Sequence, residues 1–190
     1  MRALILAGLT GAALTAAILV MIAVAWLWLG GFDTRASSPS RLAPAALNLA
    51  LMARVEAAVA KVGSPPATNG RRTVFGYRQY DAECAACHGA PDLPRAHWAV
   101  SLNPQPPDLT ETPSHLTPRG LFWLICHGVK MSGMPAFGVQ RTDDEIWDLA
   151  LFVSVLPTMK PQDYQRLRAT YGPAPKPFAL TPDAACLHSK

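Results

Sequence analysis

The chain has 190 residues, enough for one globular domain with appendages but short for a multidomain enzyme. Its net charge of +4 is unevenly placed: residues 1–73 carry +5, residues 74–158 carry −4 and residues 159–190 carry +3. Because the central part is acidic and contains no nucleic-acid recognition motif, we expect no nucleic-acid partner.

An uncharged apolar stretch runs from Ala3 to Leu29. As a helix it would measure about 40 Å, more than the roughly 30 Å hydrocarbon core of a bilayer. It is longer than the apolar part of a secretory signal peptide, and the tryptophans at its end suit a membrane interface. Arg2 at the other end favours a cytoplasmic N-terminus. We therefore expect residues 1–31 to be a single-pass transmembrane anchor in contact with lipid.

Residues 32–73 are predicted to be a linker that contains an amphipathic helix. The linker starts with a Ser/Pro-rich stretch, 33–44, and an apolar stripe then predicts a helix over 45–62. A glycine and two prolines end this helix, and 67–73 read as a polar hinge. The stripe leaves open whether the helix lies against the membrane, the next domain or a partner, or is only a spacer.

The residues Cys84, Cys87 and His88 form the Cys-x-x-Cys-His pattern of c-type haem attachment. On a helical turn, positions i, i+3 and i+4 project to one side. Two thiols can therefore form thioethers with the porphyrin while the imidazole reaches the iron. The pattern predicts one covalently attached haem c, with His88 as an iron ligand.

Two other chemistries use a Cys-x-x-Cys pair. A zinc site would need a second pair at ligand spacing, but the remaining cysteines, Cys126 and Cys186, stand 60 residues apart. A redox dithiol of the thioredoxin kind would need alternating strands and helices, which the sequence does not show. Both are weaker interpretations than haem attachment.

Three residues are candidates for the second axial ligand. Met134 lies in a stretch of glycines and a proline, 132–138, which cannot be a regular helix and can lay a thioether against a flat ring. Met131 is a weaker candidate. His127 ends a predicted helix over 117–126, where a partly cationic ring would favour the helix dipole, so we expect it to be structural.

Beyond this motif, the chain resembles the class I cytochrome c family over residues 74–158. Gly76 and Tyr80 are similar to the glycine and aromatic residue of the family's N-terminal helix, which contact its C-terminal helix. The stretch 142–145 has capping-box form and opens a helix to Leu156, similar to that C-terminal helix. The resemblance implies an all-α class I cytochrome c haem domain, here following an N-terminal transmembrane helix.

The resemblance also assigns roles around the haem. Pro107 and Leu109 look like the family's Pro-x-Leu, in which the proline carbonyl accepts a hydrogen bond from the proximal histidine. Because the preceding loop is long and Pro-rich, Pro106 is the alternative acceptor. The loop that contains Met134 has the family's Gly-Met-Pro form, so His88 and Met134 are the expected iron ligands.

These residues predict a carrier of single electrons rather than an enzyme. The expected partners are redox proteins and, from the anchor and appendages, other subunits of a respiratory, photosynthetic or dehydrogenase complex. The expected location is a bacterial inner membrane, with the haem domain on the periplasmic side. The alternative is a haem-based gas or redox sensor with a labile methionine ligand.

The C-terminal extension, residues 159–190, lies outside the resemblance and holds a Pro-rich tail. Cys126 and Cys186 remain once the haem thiols are assigned, and disulfides persist in the family's extracytoplasmic compartment. Either they form a bridge that joins the tail to the haem domain, or Cys126 is a small buried residue and Cys186 a free thiol.

Overall fold

The computed structural model describes residues 2–29, 36–37, 42–111, 116–172 and 185–188. Residues 1–40 and 41–190 form two separate units. The predicted Ser/Pro-rich linker and Pro-rich tail lie largely outside the described residues. Within those residues the chain forms helices and short 3₁₀ turns, with an isolated bridge between Ala90 and Leu93 in place of any strand. The predicted all-α class is confirmed.

The first unit contains one long helix, α1 (Arg2–Trp28). Its segment Thr10–Trp28 is long and apolar enough to cross a membrane, and none of it is buried. At 1.5 Å per residue this segment spans about 28 Å, close to the thickness of a bilayer core. The Thr15 hydroxyl donates to the Gly11 carbonyl at 2.9 Å, so this polar group is satisfied inside the helix. The helix is compatible with a single-pass membrane anchor.

Helix α2 (Leu42–Val59) packs against α5 (Pro118–His127) in the second unit. Val55 on α2 is only 2% exposed, and its Cγ1 lies 3.3 Å from where a side chain at Gly120 of α5 would begin. The sequence left open what the apolar stripe of this helix lies against. In the structure the stripe packs against the domain that follows it in the chain. It also begins earlier than predicted, within the stretch assigned to the linker.

Helix α3 (Gly70–Glu83) begins inside the predicted polar hinge, 67–73. The side chain of Asn69 accepts a hydrogen bond from the backbone nitrogen of Arg72 at 2.9 Å and caps the helix. The hinge prediction is therefore wrong for its second half, because the cap adds a turn ahead of the apolar pattern. The Arg72 guanidinium also binds the carboxylates of Asp144 and Asp148, which lie on the helix Asp143–Val155.

Helix α3 crosses α6 (Asp143–Val155) at Gly76, as the resemblance implied. At this glycine the helices approach so closely that a β-carbon would overlap the Asp148 carbonyl oxygen. One turn further on, the buried ring of Tyr80 lies 5.6 Å from that of Phe152. This crossing forms the centre of the hydrophobic core.

The start of α6 has the capping box that the sequence predicted. The Glu145 backbone nitrogen donates to the Thr142 hydroxyl at 3.4 Å, and the Thr142 backbone nitrogen donates to the Glu145 carboxylate at 2.9 Å. The helix ends at Val155 and a 3₁₀ turn continues to Thr158. Its predicted start and its end near Leu156 are confirmed.

A further helix, α7 (Pro161–Tyr171), follows in the region that the sequence placed outside the haem domain. Its Tyr164 is fully buried and lies 5.4 Å from Tyr77, ring centre to ring centre. The Tyr164 hydroxyl donates to the Asp81 carboxylate at 2.8 Å, and burial raises the pKa of this tyrosine. The first part of the C-terminal extension is therefore integral to the core.

The disulfide that the sequence left open is formed between Cys126 and Cys186, with Cα atoms 6.4 Å apart. Cys186 belongs to a 3₁₀ turn at 185–188, and its backbone nitrogen donates to the Asp143 carboxylate at 3.2 Å. The turn lies against α5 and against the 3₁₀ turn that contains Gly138, where a β-carbon would lie 2.7 Å from the Cys126 sulfur. The end of the chain is thus covalently joined to the domain.

Candidate haem site

The two motif cysteines lie at a short helix, α4 (Ala85–His88), with Cys87 inside the helix and Cys84 as its N-cap. Cys84 ends α3 and begins α4, and its carbonyl accepts hydrogen bonds from the backbone nitrogens of Cys87 and His88 at 3.0 and 2.9 Å. Both thiols are free and partly exposed. Burial raises the pKa of Cys84 to about 12 and also raises that of Cys87, so both sulfurs carry protons before any attachment.

The imidazole of His88 is oriented by a backbone carbonyl. Its Nδ1 lies 2.9 Å from the Pro107 carbonyl oxygen, which can only accept a hydrogen bond, so Nδ1 carries the proton. The Pro106 carbonyl instead accepts from the Arg95 guanidinium at 2.7 Å and is not the partner of His88. Burial lowers the pKa of His88, which favours the neutral ring that a metal requires. The remaining nitrogen, Nε2, is the one left to ligate.

Leu109, the other residue assigned from the Pro-x-Leu pattern, also contacts His88. Its backbone nitrogen donates to the His88 carbonyl at 3.0 Å, and its side chain packs against the hydrophobic core. The Tyr80 hydroxyl donates to the carbonyl of Gly89, the residue that follows the motif. The C-terminal end of α4 is therefore held at His88 and at the residue that follows it.

Met134 lies in a tight loop after α5. Its carbonyl accepts from the Val129 backbone nitrogen at 3.1 Å, and its own backbone nitrogen donates to the Ser132 hydroxyl at 3.1 Å. At Gly128, where φ is +64°, a β-carbon would lie 2.5 Å from the Pro135 carbonyl, so the loop folds directly onto the helix end. The Met134 side chain is partly buried against the core that also contacts Cys84.

The two other candidates for the axial ligand are placed differently. Met131 is 73% exposed and adopts a positive φ of 60°. His127 stacks on the Trp123 ring at 4.4 Å, and its Nδ1 lies 2.9 Å from the Trp123 carbonyl. These contacts favour Met134 as the ligand and agree with a structural role for His127.

A buried ion pair lies beside the motif, and sequence reasoning missed it. Arg141 is 4% exposed, and its guanidinium binds the carboxylate of Glu83, the residue before Cys84. A second carboxylate, that of Glu145, lies 3.6 Å away. Removing one member of such a pair leaves an uncompensated charge next to the site. No local motif marks the pair, because its members are 58 residues apart.

The residues present fit a covalently attached haem. Two free thiols stand on one helical turn, followed by an imidazole whose Nδ1 is occupied by a carbonyl, and a thioether is held on a loop against the same core. The zinc interpretation loses its remaining sulfur ligands, since Cys126 and Cys186 are bonded to each other. When bound, a haem c supplies an iron that alternates between ferric and ferrous states.

The family model described as cytochrome c oxidase, cbb3-type, subunit III, matches residues 73–153. No curated protein and no solved structure matches the chain. The matched region contains the motif helix, the Pro107 turn and the Met134 loop, and its regular elements among the described residues are helices and 3₁₀ turns. Residues 73–153 therefore form a cytochrome c domain.

Proposed function

We propose that the chain is a membrane-anchored monohaem cytochrome c that carries single electrons. In this proposal Cys84 and Cys87 would form the thioethers, and His88 and Met134 would ligate the iron. One observation carries the proposal. The motif helix presents both thiols on the turn whose histidine has its Nδ1 held 2.9 Å from the Pro107 carbonyl. This bond leaves Nε2 free for the iron and raises the basicity of the ring.

The role proposed for these side chains is to hold the haem. With His88 and Met134 as its ligands, the haem iron would have no coordination position left for a reacting molecule. The role left to the protein is outer-sphere exchange of electrons with partner proteins. A carrier rather than an enzyme follows from this ligand set.

The proposed setting is a bacterial inner membrane. Helix α1 would cross it once, and residues 74–158 would form the haem domain on the periplasmic side. Support comes from the apolar segment Thr10–Trp28 and from the disulfide in the second unit, since disulfides persist outside the cytoplasm. The matched family is described as an oxidase subunit, and we propose that this chain likewise serves a larger electron-transfer complex.

The attachment of haem is tested by exchanging pairs of cysteines. The chain is produced with a c-type cytochrome maturation system and its haem is detected on denaturing gels. Cys84→Ser with Cys87→Ser should abolish the signal, because no thioether can form. The matched control is Cys126→Ser with Cys186→Ser, which should retain it. A wild-type chain that loses its haem on denaturation would refute covalent attachment.

The ligand assignment is tested with carbon monoxide added to the reduced protein. Met134→Ala should bind carbon monoxide rapidly because one axial position is open. Met131→Ala, which removes an exposed methionine from the same loop, should behave as wild type and bind little. Rapid and complete binding by the wild-type protein would instead support the sensor alternative.

A further inference from the structure

We propose that Arg95 is a positioning residue which, together with Asp108, holds the Pro107 carbonyl on His88 and thereby sets the reduction potential of the haem. The inference rests on the proposed function, since it concerns the iron ligand His88. Its basis is the set of contacts that one arginine makes on both sides of Pro107.

Arg95 contacts the residues immediately before and after Pro107. Its Nη1 donates to the Pro106 carbonyl at 2.7 Å, and its Nε lies 3.6 Å from the Asp108 carboxylate. Both charged side chains are less than a quarter exposed. A guanidinium is planar with donors in fixed directions, so two contacts of this kind define the orientation of the segment between them.

The Asp108 side chain is itself held in place. Its Oδ1 accepts from the backbone nitrogen and the hydroxyl of Thr110, at 2.9 and 2.7 Å, while Oδ2 faces Arg95. The carboxylate also lies over Gly89, where an added β-carbon would be 3.2 Å from Oδ2. Asp108 is therefore not free to move with Arg95. The Arg95–Asp108 pair holds the turn at 106–108 in place, and we call this pair the clamp.

The backbone on either side of the clamp is tied to the motif helix. The Ala96 backbone nitrogen donates to the Ala86 carbonyl at 2.9 Å, which locates Arg95 relative to α4. The Leu109 backbone nitrogen donates to the His88 carbonyl at 3.0 Å. Contacts thus connect α4 to the segment around Arg95, connect Arg95 to the turn at 106–108, and connect the residue after that turn to His88.

The clamp matters because Pro107 cannot hold its own carbonyl in position by a backbone hydrogen bond. Proline has no backbone N–H, so its position depends on the residues that flank it. A shift of its carbonyl away from His88 would weaken the hydrogen bond from Nδ1 and make the imidazole a weaker donor to the iron. Weaker donation disfavours the ferric state, so the reduction potential should rise.

The first test is the reduction potential of Arg95→Lys in the full-length holoprotein. Lysine keeps the charge but presents a flexible point charge without the planar fork. We expect a higher potential than that of the wild type. If Arg95 acted only through its charge, Arg95→Lys would leave the potential unchanged and Arg95→Gln would lower it. That pattern would overturn the proposal.

A second readout follows the hydrogen bond itself. In the reduced, diamagnetic protein, nuclear magnetic resonance can follow exchange of the His88 Nδ1 proton with solvent. Loss of a hydrogen bond of ordinary net strength corresponds to about fivefold faster exchange. We expect this acceleration in Arg95→Lys and none in Arg119→Lys, a matched control whose arginine contacts Ser64 instead. Equal exchange in all three proteins would overturn the proposal.

Asp108→Glu provides a second variant of the clamp, which keeps the proposal testable if Arg95→Lys does not fold. It preserves charge but moves the carboxylate by one methylene, so it should raise the potential and speed exchange in the same way. A folded Asp108→Glu protein with wild-type potential and exchange would overturn the proposal. In each of these outcomes the wild-type chain still carries covalent haem, so the proposed function stands. A wild-type chain without haem would overturn both.

Discussion

A methyl group added at Gly76 is the perturbation that probes the α3–α6 crossing most directly. A β-carbon there would overlap the Asp148 carbonyl oxygen and lie 2.7 Å from the Phe152 β-carbon. Neither neighbour can rotate away, because one is helix backbone and the other is bonded directly to it. Gly76→Ala must therefore push the two helices apart.

The magnitude follows from two opposing effects. Overpacking a well-packed core costs about 1–3 kcal/mol, and rigid neighbours place this site at the upper end. Replacing a glycine inside a helix by alanine returns roughly 0.5–1 kcal/mol. We therefore expect Gly76→Ala to lower the free energy of unfolding by about 2 kcal/mol. For a folded unit of about 150 residues, 41–190, the melting temperature should fall by about 4–8 °C.

Gly70→Ala is the matched control in the same helix. Nothing lies within 4 Å of a β-carbon at Gly70, so the substitution should be neutral or stabilising by up to about 1 kcal/mol. Both variants are compared with the wild type by thermal unfolding in mild detergent, followed by far-ultraviolet circular dichroism. A wild-type melting temperature for Gly76→Ala, or equal losses in the two variants, would refute the crossing described above.

Three further predictions concern the Cys126–Cys186 disulfide, helix α7 and the charge of residues 74–158. Replacing Cys126 and Cys186 by alanine removes a crosslink across 60 residues and should cost about 4 kcal/mol of stability; reductant should lower the melting temperature of the wild type only. Tyr164→Phe removes the hydrogen bond to Asp81 and should cost about 1.5–3 kcal/mol in urea unfolding, and an unchanged midpoint would contradict that contact. Residues 74–158 carry −4, so electron exchange with a basic partner should slow as salt rises, whereas salt-independent exchange would indicate permanent association.

The features predicted correctly from the sequence depend on short-range spacing. The cysteines and His88 share one helical turn because their separation is three and four residues. The capping box at Thr142 needs only its partner three residues on. The contact of Gly76 and Tyr80 with the C-terminal helix came from the family resemblance, which supplies the pairing of distant helices.

The features that the sequence analysis missed or left open depend on contacts between distant residues. Helix α7 buries Tyr164 beside Asp81, 83 residues earlier, and its few apolar residues give little periodic signal. The apolar stripe of α2 shows that a face is buried but cannot identify what covers it. Arg95 stands alone in a Pro-rich loop, and only the fold brings it to the Pro107 turn. The pairing of Cys126 with Cys186 likewise requires knowledge of the fold.

The most direct test of a haem-bound electron carrier is a potentiometric titration of the purified full-length chain, followed by the absorption of its haem. The proposed function has one haem attached at Cys84 and Cys87, with His88 and Met134 as ligands, and it therefore predicts a single reversible wave that fits transfer of one electron. Carbon monoxide should not displace that wave. A chain without a haem spectrum, or a titration that requires two waves or two electrons, would contradict the proposed function.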